Sequence, residues 1–224
     1  MPAPPKPPPE ILSVCSRWLE KIESFLTKQE TFEYFQNELP GLLLNRQLFV
    51  QILDQITRGG THPELRRAMM FENEYLLYLN SNRRFSLRMF IFEPGEYTSI
   101  HDHNSWGVSG NVSGNLEVVK YVREDDGSLE EFARLRESDR YRLVPGDTEL
   151  TLPLEAGIHQ TGNPTAETII MISVYGPPNR RLYINRFDIA NKRVQKIYPQ
   201  RLKKKMLASQ ALKTLNAESR CRVY

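Results

Sequence analysis

His101 and His103 bracket a single residue, Asp102, and a third histidine, His159, lies farther along the chain. On an extended strand the side chains alternate from face to face, so a His-x-His pair presents both imidazoles to one side. A third imidazole from a neighbouring strand turns that pair into a facial site for a divalent metal. Three of the four histidines fall in these two places, which concentrates the metal-ligating capacity there. The fourth, His62, belongs to Thr61-His62-Pro63-Glu64, where the proline marks the first turn of a helix. It is expected to be a surface or capping residue rather than a ligand. Imidazole donors suit Fe, Zn, Cu or Ni, so the donor set by itself names no ion.

The elements that must position these side chains can be read from periodicity. Residues 1–9 form a proline-rich tail, expected to be disordered with polyproline II character. Residues 10–73 read as helical. Ile11, Leu12, Val14, Cys15, Trp18, Leu19, Ile22, Phe25 and Leu26 recur at three- and four-residue steps, the mark of an amphipathic helix. Further helices are predicted around Thr31–Leu39 and over Leu42–Ile56, separated by Pro40-Gly41 and ended by Gly59-Gly60. From 74 to 200 the pattern turns strand-like. Strands are predicted at Glu74–Asn80, Arg84–Phe92, Leu116–Val122, Phe132–Arg136, Tyr141–Val144, Thr148–Leu152, Thr168–Tyr175, Leu182–Asp188 and Val194–Ile197. Many short strands separated by Gly, Pro and Asp turns imply a mainly β sandwich or barrel. Residues 201–224 read as a basic C-terminal helix or tail, with Leu202, Met206, Leu207, Leu212 and Leu215 along one face and lysines in solvent.

Composition bounds the function. The net charge of +3 is too small to imply a nucleic-acid partner. No run of about eighteen apolar residues exists to span a membrane, and the opening Met1-Pro2-Ala3-Pro4-Pro5-Lys6 offers no apolar signal core. Two cysteines, Cys15 and Cys221, lie near opposite ends, which suits reduced thiols and a cytoplasmic monomer.

The spacing within the β region carries a recognisable signature. Gly95, His101, His103, Gly107 and Gly114 fit the first motif of the cupins, and Gly146, Pro153, Gly157, His159 and Asn163 follow the second with a longer interval before Pro153. The chain therefore resembles a cupin over residues 74–200. That resemblance implies a jelly-roll barrel whose mouth holds a metal; the helices read from periodicity would then pack against it at the N-terminus and add a short C-terminal helix. The first motif usually has a glutamate where this chain has Gly107. Three neutral imidazoles leave the charge of a divalent ion uncompensated, so the open positions should attract a thiolate, enolate or carboxylate.

Within the cupins, Ser99-Ile100-His101-Asp102-His103, Gly157-Ile158-His159 and Val174-Tyr175-Gly176-Pro177-Pro178 resemble the cysteine dioxygenase-like thiol dioxygenases. Asn104-Ser105-Trp106-Gly107 looks nearer the 3-mercaptopropionate branch. The resemblance implies Fe(II) held by His101, His103 and His159, with a small thiol and O2 as substrates and a sulfinic acid as product. It implies a catalytic role for the Tyr175 hydroxyl and places Trp106 and Ser173 beside the substrate. Two departures stand out. Met171 and Ser173 occupy the serine and histidine positions of the family's Ser-x-His-x-Tyr relay, and Ser173 cannot titrate as imidazole does. Leu77 stands where the cysteine branch has its carboxylate-binding arginine. Arg181 is the expected substitute, ahead of Arg88 and Arg186. Two other readings stay open: a three-histidine cupin running a different oxygenase reaction, and a cupin that binds a metal or ligand without turnover.

Overall fold

The computed structural model describes residues 8–58, 71–179, 181–199, 203–210 and 212. The proline tail through residue 7, the Thr61-His62-Pro63-Glu64 helix start, Gly59-Gly60, Leu202, Leu215 and Cys221 lie outside the described residues.

Three helices come first. Helix α1 spans Pro9–Ile22, with its proline in the first turn where the missing N–H costs nothing. It buries Ile11, Cys15, Trp18 and Ile22, the stripe that the three- and four-residue spacing predicts. Helix α2 spans Lys28–Leu43 and opens on a capping box, in which Thr27 and Glu30 satisfy each other's backbone donors. Pro40-Gly41 does not separate two helices as expected, because α2 runs straight through Pro40. Proline removes the N–H that would bond the carbonyl of Gln36, and Thr148 Oγ1 approaches that carbonyl at 3.5 Å. The break falls instead at Asn45, whose side chain accepts from Leu48 N and starts helix α3, Arg46–Thr57.

Eleven strands come next in the described residues: β1 Glu74–Leu79, β2 Ser86–Phe92, β3 Ile100–His103, β4 Gly107–Asn111, β5 Leu116–Arg123, β6 Leu135–Leu143, β7 Thr148–Thr151, β8 Leu154–Gly162, β9 Ile169–Tyr175, β10 Ile184–Asp188 and β11 Arg193–Ile197. One sheet runs β1-β2-β9-β4-β7 and the other β11-β10-β3-β8-β5-β6. The inner eight strands, β2-β9-β4-β7 facing β3-β8-β5-β6, have the order of a jelly roll. Strand β1 extends the first sheet beside β2, and the β10–β11 hairpin extends the second beside β3. The fold is the mainly β jelly-roll barrel with N-terminal helices that the sequence implies.

Strand alternation divides the core in two. Leu87 and Met89 of β2, with Ile170, Ile172 and Val174 of β9, face the helices and pack on Trp18, Phe35 and Leu39. Phe90, Phe92, Ile169 and Met171 face the other way and close the barrel interior with Leu116, Val118 and Leu143. Strands buried on both faces read as continuous apolar runs. Three differences from expectation share a cause, the lack of apolar alternation. Strands β4 and β8 are rich in Gly and polar residues and carry no such signal. The two pieces predicted at Phe132–Arg136 and Tyr141–Val144 overlap the two ends of one largely exposed strand, β6, paired with β5.

No helix among the described residues is long and apolar enough to cross a membrane. The C-terminal helix occupies 203–210. Its expected apolar face is only partly docked: Met206 is half-buried, while Leu207 and Leu212 are 54% and 59% exposed.

Candidate metal centre

Strand β3 pairs with β8, and the register sets His101 opposite His159. His101 and His103 then point into the barrel beside His159 from the adjacent strand. The three rings are buried, with centroids 4.7 to 5.0 Å apart. Their candidate ligand nitrogens all lie within 4.8 Å of one another. Nε2 of His103 and Nε2 of His159 are 2.9 Å apart. Imidazole nitrogens at about 2.0–2.1 Å from a common ion lie roughly 3 Å from each other when adjacent, so this pair fits a shared metal. His101 Nδ1 lies 2.8 Å from the Ser99 carbonyl. A carbonyl only accepts, so Nδ1 carries the proton and Nε2 keeps its lone pair for an ion.

Burial pushes all three imidazoles below the ordinary histidine pKa. For His101 a hydrogen bond to Ser99 and the charges of Asp102 and Glu74 oppose that effect. For His103 the neighbouring histidines, Arg88 and Arg181 reinforce it; for His159 the reinforcement comes from His101 and Lys120. Neutral imidazole is the state a metal requires. The donor set and its protonation both suit a divalent ion, with no carboxylate among the three ligands.

Gly107 lies across from Tyr175 in the β4–β9 register. A Cβ at position 107 would sit 2.8 Å from Cε1 of the tyrosine ring. The Tyr175 ring thus fills the space a carboxylate from position 107 would need. It stacks on His103 at 5.7 Å and lines a mouth cavity of about 390 Å³ with His101, His103 and Arg88. Burial first, then the Glu74 charge, push its phenol up to about 12, against the pull of Arg88 and a hydrogen bond with Ser173. Ser173 is buried and shares a 2.8 Å hydrogen bond with Ser109. The tyrosine therefore keeps its proton and sits in a polar chain, Ser109–Ser173–Tyr175, on the inner face of β4 and β9.

The remaining predicted residues fall elsewhere. Arg181 does not line the cavity. Its guanidinium is bound to Asp102, with Nη1 donating to Oδ2 at 2.9 Å and Nη2 to Oδ1 at 2.5 Å. Asn185 donates to the same carboxylate from its backbone and its side-chain amide. Asp102 is fully buried on the face of β3 opposite the two histidines, so Arg181 neutralises it there and fixes the strand that carries them. Trp106 also lies off the cavity. Its ring packs between Phe32 and Phe35 at 5.2 and 5.7 Å, against the helices. Neither Arg181 nor Trp106, both expected beside a substrate, lines the cavity, and Leu77 packs into the helix-facing core.

Two residues gain weight instead. Arg88, on the inner face of β2, is ion-paired to Glu74, donates to Ser86 at 3.2 Å and lies 5.2 Å over the Tyr175 ring. Glu149 of β7 is buried, with burial raising its pKa, and its Oε1 lies 3.7 Å from His159 Nδ1. Both occupy inward positions in predicted strands, where a charge among apolar neighbours is the available signal.

No protein-family profile matches the chain. Among solved structures it is similar to a cupin 2 conserved barrel domain protein from Rhodopseudomonas palustris, at 14% identity over 53% of this chain and 68% of that chain, with TM-score 0.40. It is similar to a cupin 2 domain-containing protein from Halorhodospira halophila, at 22% identity over 54% of this chain and 73% of that chain, with TM-score 0.38. A cupin 2 conserved barrel domain protein from Salinispora arenicola CNS-205 is 21% identical over 50% of this chain and 83% of that chain, with TM-score 0.35.

Proposed function

We propose that the protein is an Fe(II)-dependent dioxygenase that converts a small thiol and O2 into a sulfinic acid. The observation that carries this reading is a buried trio of neutral imidazoles with no carboxylate among the three, two of which line a cavity shared with Tyr175 and Arg88. An ion held by three neutral donors keeps its full charge and favours an anionic ligand such as a thiolate. Bound iron would supply the one-electron chemistry that brings O2 into reaction with the coordinated sulfur. The overall change, thiol plus O2 to sulfinic acid, balances without an external reductant.

The chain's own groups have separable roles. His101, His103 and His159 hold the ion. Tyr175, protonated at neutral pH, donates a hydrogen bond from its hydroxyl beside the reacting ligands, and Ser173 with Ser109 orients it. Arg88 is the cavity cation that lies over the Tyr175 ring, and it draws an anionic substrate group toward that tyrosine. The apolar floor of Phe90, Phe92 and Met171 excludes water below the site.

The ion pairs around the site favour a second reading. The two arginines whose charges act on His103 are each already paired, Arg88 with Glu74 and Arg181 with Asp102. A substrate lacking a carboxylate, such as an enolisable diketone, would leave those pairs intact. Metal analysis followed by oxygen uptake with 3-mercaptopropionate, cysteine and a diketone separates the two. Sulfinate formed from a thiol, and abolished in His159→Ala, supports the thiol dioxygenase. Uptake with the diketone alone supports the second reading, and bound zinc without uptake counts against both.

A further inference from the structure

Two buried polar atoms face each other across the barrel without a hydrogen-bond partner. One is Nδ1 of His159, on β8 of the second sheet; the other is Oε1 of Glu149, on β7 of the first. They stand 3.7 Å apart, about 0.8 Å beyond the ~2.9 Å of a charge-assisted hydrogen bond. Buried polar atoms cost free energy unless paired, and each is the partner the other lacks. The far side of the carboxylate is already anchored. Tyr141 donates its hydroxyl to Oε2 at 2.7 Å, and the Lys120 ammonium lies 3.7 Å from the same oxygen. One carboxylate oxygen is thus held and the other is aimed at the ring nitrogen that a metal would not use.

We propose that Glu149 is the positioning residue of His159: it accepts a hydrogen bond from Nδ1, fixes the tautomer that offers Nε2 to the ion, and supplies from behind the ligand the negative charge that the three imidazoles lack. The inference rests on the three-histidine metal reading. Glu149 also compensates for Gly107, since the carboxylate excluded from the coordination shell by Tyr175 is replaced by one acting through an imidazole. Hydrogen-bonded carboxylates behind metal-binding histidines raise ligand basicity and hold ring orientation.

The test uses the full chain with Co(II) as a spectroscopic probe, and histidine labelled with nitrogen-15 for the metal-free protein. Wild type should bind Co(II), and Glu149→Gln should weaken binding by about 10–100-fold with a shift in the visible bands. Tyr141→Phe, which frees only the far oxygen, should weaken it less. In the metal-free wild type, His159 should carry its proton on Nδ1, and Glu149→Gln should erode that preference. Matching melting curves of the metal-free forms guard against misfolding; if Glu149→Gln does not fold, the wild-type tautomer and Tyr141→Phe decide. Unchanged affinity and spectrum in Glu149→Gln, or a proton on Nε2 of wild-type His159, overturns the role of Glu149 and leaves the metal reading standing. No Co(II) binding by wild type, or binding that survives His159→Ala, overturns the metal reading and this inference with it.

Discussion

Gly107 and Tyr175 contend for one volume: a Cβ on the first would lie 2.8 Å from Cε1 and 2.9 Å from Cδ1 of the second. A carboxylate side chain at position 107 and this tyrosine ring cannot both occupy the mouth of the barrel. The absence of a carboxylate at position 107 and the presence of a phenol beside His103 are therefore a single structural choice.

A substitution series can measure that choice. Gly107→Glu is expected to cost about 1–3 kcal/mol of stability, the usual penalty for overpacking a filled site. In the double variant with Tyr175→Ala most of that penalty should vanish, giving a coupling of at least about 1 kcal/mol in a double-mutant cycle. Denaturant unfolding of the four proteins reads it directly. Effects that simply add, within about 0.5 kcal/mol, would show that the two side chains do not compete.

Arg181 is expected to act on stability before it acts on any substrate. Its two hydrogen bonds to Asp102 neutralise a carboxylate with no exposed surface. Removing one partner of such a pair strands the other charge and costs about 3–5 kcal/mol. Calorimetry of Arg181→Leu should show a fall in Tm of roughly 6–20 °C, given about 2–4 °C per kcal/mol for a chain of this size. Adding Asp102→Asn should recover much of it. A near-normal Tm in Arg181→Leu would mean that the pair contributes little.

Arg88 should act on substrate binding as well as on stability, since its removal also takes an ion-pair partner from the buried Glu74. Its side chain is 30% exposed at the cavity, against 1% for Glu74, so it can exchange part of its pairing for a bound anion. Arg88→Leu is expected to raise KM about tenfold or more for a thiol carboxylate, while a neutral alkyl thiol is hardly affected. A tenfold change corresponds to about 1.4 kcal/mol, the lower edge of what one hydrogen bond to a charged group contributes. Steady-state oxygen uptake with the two substrates checks it, and equal losses for both would remove Arg88 from substrate recognition.

The barrel and its histidines were legible because their signals are local. Apolar runs mark β2 and β9, and His-x-His on a strand needs no tertiary knowledge to place both rings on one face. The substrate side was not legible, since it depends on which way a side chain turns. Arg181 comes soon after the Tyr175 strand in sequence yet turns to the outer face of β3, where it meets Asp102. Trp106 directly precedes Gly107 yet packs on Phe32 and Phe35. Glu149 escaped notice because its partner, His159, lies across the barrel on the other sheet. Pro40 misled for a related reason: its cost is local, whereas the relief, Thr148 near the Gln36 carbonyl, comes from the barrel.

Acid should act on the fold before it acts on the metal centre. Burial holds His101, His103 and His159 below their ordinary pKa of 6.5 in the folded protein. Above pH 6.5 both folded and unfolded chains carry these rings neutral, and no stability is lost on their account. Below it the unfolded chain takes up protons first, so the stability of the metal-free protein should fall as pH drops toward the folded values. Each ring contributes a slope of up to about 1.4 kcal/mol per pH unit. Metal binding to the folded chain should hold over that range, because its rings stay neutral, and weaken only as pH nears their depressed folded values, where protons and the ion compete for the same nitrogens. Thermal melts from pH 8 to pH 5, with and without Co(II), should therefore show the metal-free Tm falling below pH 6.5 before the metal-induced rise in Tm begins to shrink. His103→Gln should flatten the metal-free slope by about one proton. A metal-free stability that holds level through this range would mean that the three rings accept protons as readily folded as unfolded, which is incompatible with burial setting their pKa.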